Sequence, residues 1–173
     1  GFTGTAEGIL DYSDMNAIAD REGFMVIYPQ GTKDSSGNTF FNVGYEFHKD
    51  SEIDDVSFIR NLFSLLSEEY GLKRKKGFAT GMSNGGDMSY LLACTASDLF
   101  IAVAPVAGSL MKKTKDACIT KSPVSIFEIH GTEDQITLFD GDIENDHGWG
   151  AYYDLTSTIN FFANAYNLDS KTV

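Results

Sequence analysis

The sequence predicts an α/β fold, with a mostly parallel sheet flanked by helices, in a single domain over residues 1–173. Short apolar runs alternate with segments of helical periodicity along the whole chain, as right-handed βαβ crossovers require. A G-x-S-x-G pattern at Gly81–Gly85 follows a strand-like run and precedes a helix-like segment. Ser83 and Asp134 both follow predicted strands, and open parallel sheets place their sites at the carboxyl ends of strands.

The N-terminal part predicts one helix, one buried strand and one long loop. Ser13–Glu22 carries apolar residues at helical spacing, with Ser13 as the expected N-cap and Gly23 as the stop. Phe24–Tyr28 is a continuous apolar run ended by Pro29, which is typical of a buried strand in a parallel sheet. The stretch that follows is rich in glycine and serine and predicts a polar loop.

The middle of the chain predicts a helix, a central strand and a second helix. The first helix starts near Ser51, where Ser51 and Asp54 resemble a capping box, and ends at Gly71. Asp54 and its neighbour Asp55 are either capping residues or carboxylates that shape a site. The central strand Gly77–Thr80 leads into the second helix, which extends to about residue 93.

Two further strands and a last helix complete the predicted fold. Ile101–Val106 and Val124–Ile129 are apolar, β-branched runs bounded by turn residues. Tyr152–Tyr166 has apolar side chains at helical spacing.

The charge balance excludes one class of partner. The formal net charge is -12, whereas binding to a phosphate backbone needs clustered Lys and Arg, so no nucleic-acid partner is predicted. The basic run Lys73–Lys76 predicts a solvated loop between helix and strand. No apolar run approaches the roughly 20 residues that a membrane span requires.

The two cysteines, Cys94 and Cys118, are either reduced thiols or one disulfide. Neither lies in a C-x-x-C or near histidines at ligand spacing, so the sequence predicts no zinc site and no other metal or cofactor. The acidic residues between Asp140 and Asp146 alternate as in a calcium loop, but the glycine and the final glutamate of such a loop are absent.

The G-x-S-x-G pattern predicts Ser83 as a nucleophile on a sharp turn between strand and helix. We expect Gly81 and Gly85 to be required because side chains there would collide where the backbone tightens. The backbone amide of Asn84, directly after the nucleophile, is a candidate oxyanion donor.

Five segments together resemble one known family. They are Gly23–Gly31, Asp54–Val56, Ala79–Gly86, Ala104–Gly108 and His130–Asp134, in this order. The set is similar to the polyhydroxybutyrate depolymerase and feruloyl esterase group, the first family of carbohydrate esterases. The resemblance covers nearly the whole chain.

The resemblance implies an α/β-hydrolase fold and a secreted serine esterase, extracellular or periplasmic, with a triad in the chain order Ser, Asp, His. Ser83 matches the nucleophile and Asp134 matches the acid. The backbone amide of Phe2 matches the second oxyanion donor. Cys94 and Cys118 match positions that form a disulfide in similar proteins.

The chain departs from the family pattern at both ends. It begins at the expected glycine of an oxyanion His-Gly pair, and the catalytic histidine is expected beyond Val173, so we expect a part of a larger protein. His147 follows Asp134 after only a loop and is the weaker substitute for that histidine. His130 is expected to be a structural hydrogen-bonding residue, and His48 precedes Ser83, which is the wrong order.

The predicted function is hydrolysis of carboxylic esters, with polyhydroxyalkanoate-type polyesters or feruloyl and acetyl cell-wall esters as substrates. The alternative is a non-catalytic α/β-hydrolase scaffold with a binding role, and a peptidase or acyltransferase is a lesser competitor. Four aromatic residues are either an acyl pocket or ordinary core: Phe139, Trp149, Tyr152 and Tyr153. The sequence predicts no oligomeric state.

Overall fold

A computed structural model describes residues 1–72 and 76–169. Most of the basic run predicted as a loop, residues 73–75, lies outside the described residues. Six helices and five strands form in the described part of the chain. The helices are α1 (Ala6–Ser13), α2 (Met15–Glu22), α3 (Asp55–Glu69), α4 (Asn84–Thr95), α5 (Lys112–Asp116) and α6 (Leu155–Ala165). The strands are β1 (Thr32–Lys33), β2 (Thr39–Phe40), β3 (Gly77–Met82), β4 (Phe100–Val106) and β5 (Ser125–Ile126).

The central sheet is parallel, with the strand order β3-β4-β5. The pairing of β5 with β4 continues beyond its regular part, because the amide of Ile129 donates to the carbonyl of Pro105 and a bridge joins Val106 to Ile129. The carboxyl ends of these strands therefore lie at one edge, as predicted. A separate antiparallel hairpin, β1-β2, lies in the predicted long loop.

Helix α4 is the centre of the core, because it packs against both β3 and β4. Its residues Met88 and Leu92 join one apolar cluster with Ile59 of α3, and Tyr90 joins a second cluster with Phe162 of α6. The opposite side of the sheet is exposed. In the part of the chain that the structure describes, no helix is long and apolar enough to cross a membrane.

Three predicted elements are wrong in detail. The strand predicted at Phe24–Tyr28 does not form, and three of its side chains are 39–46% exposed. A strand exists only where another backbone supplies hydrogen bonds, and within residues 1–72 and 76–169 no strand pairs with this run. The helix predicted over Ser13–Glu22 forms as α2, and Gly23 ends it as predicted, but its N-cap is Asp14 with a backbone φ of 50°. Ser13 is not a cap, because it is the last residue of α1, a helix that the sequence did not predict.

The helix predicted from Ser51 begins at Asp55. Its N-cap is Asp54, whose carboxylate accepts the amide of Ser57 at 2.9 Å and its hydroxyl at 2.6 Å. The capping role of Asp54 is therefore confirmed. Asp55 is buried and accepts the amide of Asn42.

The two cysteines form a disulfide between α4 and the segment after α5, as the resemblance implied. Cys94 is fully buried beside Tyr90 and Phe162. The bond thus joins the core helix to an excursion that has only one short helix of its own.

Candidate active site

Ser83 lies at the turn between β3 and α4 with φ 55° and ψ -122°. A serine rarely adopts a positive φ, and such strain is found where the fold requires one particular backbone path. The amide of Ser83 donates to the carbonyl of Val106 on β4, and the carbonyl of Ser83 accepts the amide of Asp87 on α4. The turn is therefore held by hydrogen bonds to both neighbouring elements.

The glycines around this turn differ in how closely other backbone atoms approach them. A Cβ at Gly81 would lie 2.6 Å from the carbonyl carbon and oxygen of Gly85, which is too close for any real side chain. Gly86 and Gly108 approach each other in the same way, so α4 sits directly on the end of β4. A Cβ at Gly85 would meet nothing within 4 Å. The prediction that a side chain at Gly85 would collide is wrong, because the Cα and the carbonyl group of Gly85 lie against Gly81 while its own Cβ position is open.

The two predicted oxyanion donors belong to segments beside Ser83. Asn84 is the first residue of α4, where backbone N–H groups have no partner within the helix. Its buried side chain forms two hydrogen bonds with the backbone of Phe41, at 2.7 and 2.9 Å. The opening loop reaches the same place, because a Cβ at Gly1 would lie 3.6 Å from the Cβ of Ser83. The ring of Phe2 packs on Trp149 at 5.9 Å.

Asp134 lies on the loop that follows β5, at the same edge of the sheet as Ser83. We call residues 131–137 the acid loop. One carboxylate oxygen of Asp134 accepts the amides of Ile136 at 2.8 Å and Thr137 at 3.0 Å. Ile136 and Thr137 also line the pocket above Ser83. The structure thus brings the acid loop and the predicted nucleophile to one pocket.

The three histidines have different environments. The side chain of His130 is 2% exposed, with both ring nitrogens engaged. His147 is half exposed on a surface loop, and its Nδ1 lies 3.2 Å from a carboxylate oxygen of Asp142. His48 is buried against Phe40, with ring centroids 3.8 Å apart. Neither His147 nor His48 lines the pocket at Ser83.

A model of the family described as "Prolyl oligopeptidase family" matches residues 11–121, which include the whole elbow from β3 to α4. The chain belongs to the prolyl oligopeptidase family. The α/β-hydrolase fold predicted from the sequence is thereby confirmed, in agreement with the parallel sheet and its elbow.

Known relatives of this prolyl oligopeptidase family member include three esterases. Feruloyl esterase B of Piromyces equi is 30% identical over 122 residues, which are 69% of this chain and 22% of the relative. Feruloyl esterase C of Emericella nidulans is 32% identical over 90 residues, which are 52% of this chain and 32% of the relative. A bifunctional acetylxylan esterase/xylanase of Neocallimastix patriciarum is 27% identical over 119 residues, which are 69% of this chain and 16% of the relative.

These similarities confirm the resemblance to the feruloyl esterase group. The chain spans only 16–32% of the length of the three relatives. The likeness to polyhydroxybutyrate depolymerases stays a prediction.

The pocket of this prolyl oligopeptidase family member contains a buried acid that sequence reasoning missed. Asp87 is 5% exposed and accepts the hydroxyl of Tyr45 at 2.5 Å and the amide of Ser109 at 2.6 Å. It joins three segments under Ser83: helix α4, the loop after β2 and the loop after β4. Asp87 follows Ser83 by four residues, which places both on one helix face. This spacing is the sequence feature that could have indicated Asp87 as a neighbour of the nucleophile.

Burial raises the pKa of Asp87 from 3.8 to about 7, and the hydrogen bonds from Tyr45 and Ser109 oppose that change. The folded protein therefore holds a proton on Asp87 between about pH 4 and pH 7, where the unfolded chain has lost it. The resulting stabilisation is present below the ordinary pKa and is lost as pH rises through about 7.

The four aromatic candidates divide into two pairs. Trp149 and Tyr152 line the pocket at Ser83 together with Tyr45. Phe139 packs against His130 instead, with ring centroids 6.1 Å apart, and Tyr153 lies under the ammonium of Lys115 at 4.3 Å. Tyr45 was not predicted, because it lies in a loop without a sequence pattern.

Proposed function

We propose that this prolyl oligopeptidase family member is a serine carboxylic ester hydrolase that works through an acyl-enzyme. One observation carries the proposal: Ser83 occupies a strained elbow, and the loop of Asp134 lines the same pocket. The esterases among its relatives favour an ester substrate over a peptide, although the family takes its name from a peptidase.

In this proposal the hydroxyl of Ser83 attacks the ester carbonyl while an imidazole accepts its proton. Asp134 holds that imidazole in the required tautomer and stabilises its charged form. The imidazole belongs to a histidine beyond Val173, because His130 is fully engaged and His147 lies away from the pocket lining. The alcohol leaves with the proton, and water then hydrolyses the acyl-Ser83.

The negative charge on the tetrahedral oxygen needs prearranged donors. The backbone amide of Asn84, at the N-terminus of α4, and the amide of Phe2 are the proposed pair. Each such donor typically contributes about 10²- to 10³-fold in rate. The positive end of the α4 dipole acts in the same direction.

The substrate class follows from the relatives and the pocket. Feruloyl and acetyl esters of plant cell walls are the first candidates, since the relatives bear those names and Trp149 and Tyr152 offer aromatic surfaces beside Ser83. Polyhydroxyalkanoate-type polyesters are the second. The disulfide between Cys94 and Cys118 supports secretion, because such bonds persist in oxidising compartments.

The test is covalent labelling of the full-length protein by a fluorophosphonate, with Ser83→Ala as the matched control. We expect labelling of the wild type alone, and turnover of methyl ferulate and p-nitrophenyl acetate above that of a prolyl peptide amide. Folded wild-type protein that takes up no label would favour the non-catalytic scaffold. Faster cleavage of the peptide amide would favour a peptidase.

A further inference from the structure

A chain of buried hydrogen bonds connects the helix of Ser83 to the acid loop. The hydroxyl of Tyr90, on α4, donates to one oxygen of Glu128 at 2.7 Å. The other oxygen of Glu128 lies 3.1 Å from Nδ1 of His130, and Nε2 of His130 lies 2.8 Å from the carbonyl oxygen of Thr137. The side chains of Glu128 and His130 are 4% and 2% exposed, so water does not compete for these contacts.

The partners determine where the protons are. Because a carbonyl oxygen only accepts, Nε2 of His130 must carry a proton and donate it to Thr137. One further proton lies between Nδ1 and Glu128, either on the ring or on the carboxyl group, since two lone pairs would repel. Burial raises the pKa of Glu128 and so favours retention of that proton. In both arrangements the donor toward Thr137 is the same.

Thr137 connects this chain to the predicted triad acid. Its amide donates to Asp134 at 3.0 Å while its carbonyl accepts from His130. Nε2 of His130 lies 3.9 Å from a carboxylate oxygen of Asp134, which is an ion-pair distance when the ring is charged but too far for a hydrogen bond. The hydrogen-bonded link from His130 to the Asp134 carboxylate therefore passes through the backbone of Thr137.

We propose that His130 is a positioning residue, which fixes the direction of the Asp134 carboxylate by holding Thr137. This inference rests on the proposed function for the role of Asp134. Tyr90 lies two turns from Ser83 on α4. The hydrogen bonds that run from Tyr90 to Thr137 therefore also fix the position of the nucleophile relative to the acid. His130 itself cannot reach a substrate, because its ring is buried and both nitrogens are occupied.

Two substitutions at His130 separate positioning from simple stability. In His130→Gln the amide nitrogen takes the place of Nε2 and can still donate to Thr137, but the contact between Nδ1 and Glu128 is lost, and Glu128 keeps only the hydroxyl of Tyr90 from this chain. In His130→Asn the amide takes the place of Nδ1, so it keeps the contact with Glu128 and loses Thr137. A merely structural role predicts that activity follows stability in this pair.

In the full-length protein we expect His130→Asn to be less active than His130→Gln, even where His130→Asn is the more stable of the two. His130→Asn should lower kcat for p-nitrophenyl acetate by about 10- to 100-fold at nearly constant KM, because small misplacements of a catalytic group cost rates of that order. His130→Gln should stay within about threefold of the wild type, even if its unfolding midpoint is the lower of the two. If activity falls in the order of the unfolding midpoints, the inference is wrong.

Hydrogen exchange of the amides of Ile136 and Thr137 supplies a readout that needs no turnover. Exchange should be faster in His130→Asn and unchanged in His130→Gln, and equal protection in both variants would overturn the inference. The two proposals can therefore fail separately. A wild type that is inactive and takes up no label refutes the esterase, whereas the comparison of exchange rates still tests whether His130 holds Thr137. If His130→Asn does not fold, His130→Gln alone tests the inference. Loss of protection at the two amides, or a tenfold lower kcat, in folded His130→Gln would refute the positioning role.

Discussion

Replacement of Gly81 by alanine tests whether close backbone contact at the elbow holds Ser83 in its strained conformation. The added Cβ would lie 2.6 Å from the carbonyl group of Gly85 and 2.8 Å from its Cα. All three atoms belong to the backbone, so no flexible side chain can move away. The end of β3 and the start of α4 must separate.

The required movement follows from these distances. Ordinary contacts begin near 3.4 Å, so the two segments must separate by about 0.8 Å. Hydrogen bonds from Ser83 to Val106 and from Asp87 to Ser83 resist this movement. We expect a loss of about 1–3 kcal/mol in the free energy of unfolding. We also expect kcat to fall by about 10²-fold, because Ser83 moves with the turn.

Gly85→Ala is the matched control within the same motif. Its Cβ meets nothing within 4 Å, and an alanine in a helix is favoured over glycine by up to about 1 kcal/mol. Urea denaturation of the two variants and the wild type supplies the comparison, with p-nitrophenyl acetate as the kinetic substrate. Equal stability of Gly81→Ala and Gly85→Ala would refute the steric explanation of the elbow.

Three further predictions concern the acid, the disulfide and the exposed histidine. The free energy of unfolding of the wild type, relative to that of Asp87→Asn, should fall by up to about 4 kcal/mol between pH 4 and pH 7, because ionisation of the buried Asp87 destabilises the folded state. A difference in urea denaturation that does not change with pH would contradict the raised pKa of Asp87. Replacement of Cys94 and Cys118 by alanine should cost about 3 kcal/mol of unfolding free energy, and an unchanged melting temperature would show that the bond constrains nothing. His147→Ala should leave kcat/KM for p-nitrophenyl acetate within about threefold, whereas a loss of several orders of magnitude would make His147 the triad base.

Local patterns predicted the elements whose conformation depends on neighbours in the chain. The G-x-S-x-G pattern predicted the turn at Ser83, because a positive φ and close backbone approach are imposed within a few residues. The apolar run at Ile101–Val106 predicted β4 to within one residue. Helix ends were less well predicted: Asp54, not Ser51, is the cap of α3, since the cap depends on which side chain reaches a free amide.

The pocket itself was only partly predicted. Ser83 was predicted from the G-x-S-x-G pattern and Asp134 from the family resemblance, and both follow strands whose carboxyl ends share one edge of a parallel sheet. Tyr45 and Ser109 belong to loops without periodicity, and only the fold brings them to Asp87.

The sequence alone thus determined the α/β class, the elbow and the edge of the sheet where the pocket lies, because periodicity and steric limits act between near neighbours. The tertiary structure decided that Gly81 is crowded and Gly85 is not, that Phe24–Tyr28 has no strand partner among the described residues, and that His130 holds Thr137. The missing strand depends on which backbones lie beside residues 24–28, and the other two findings depend on the exact path of the elbow and of the acid loop, which a pattern of residue types does not specify.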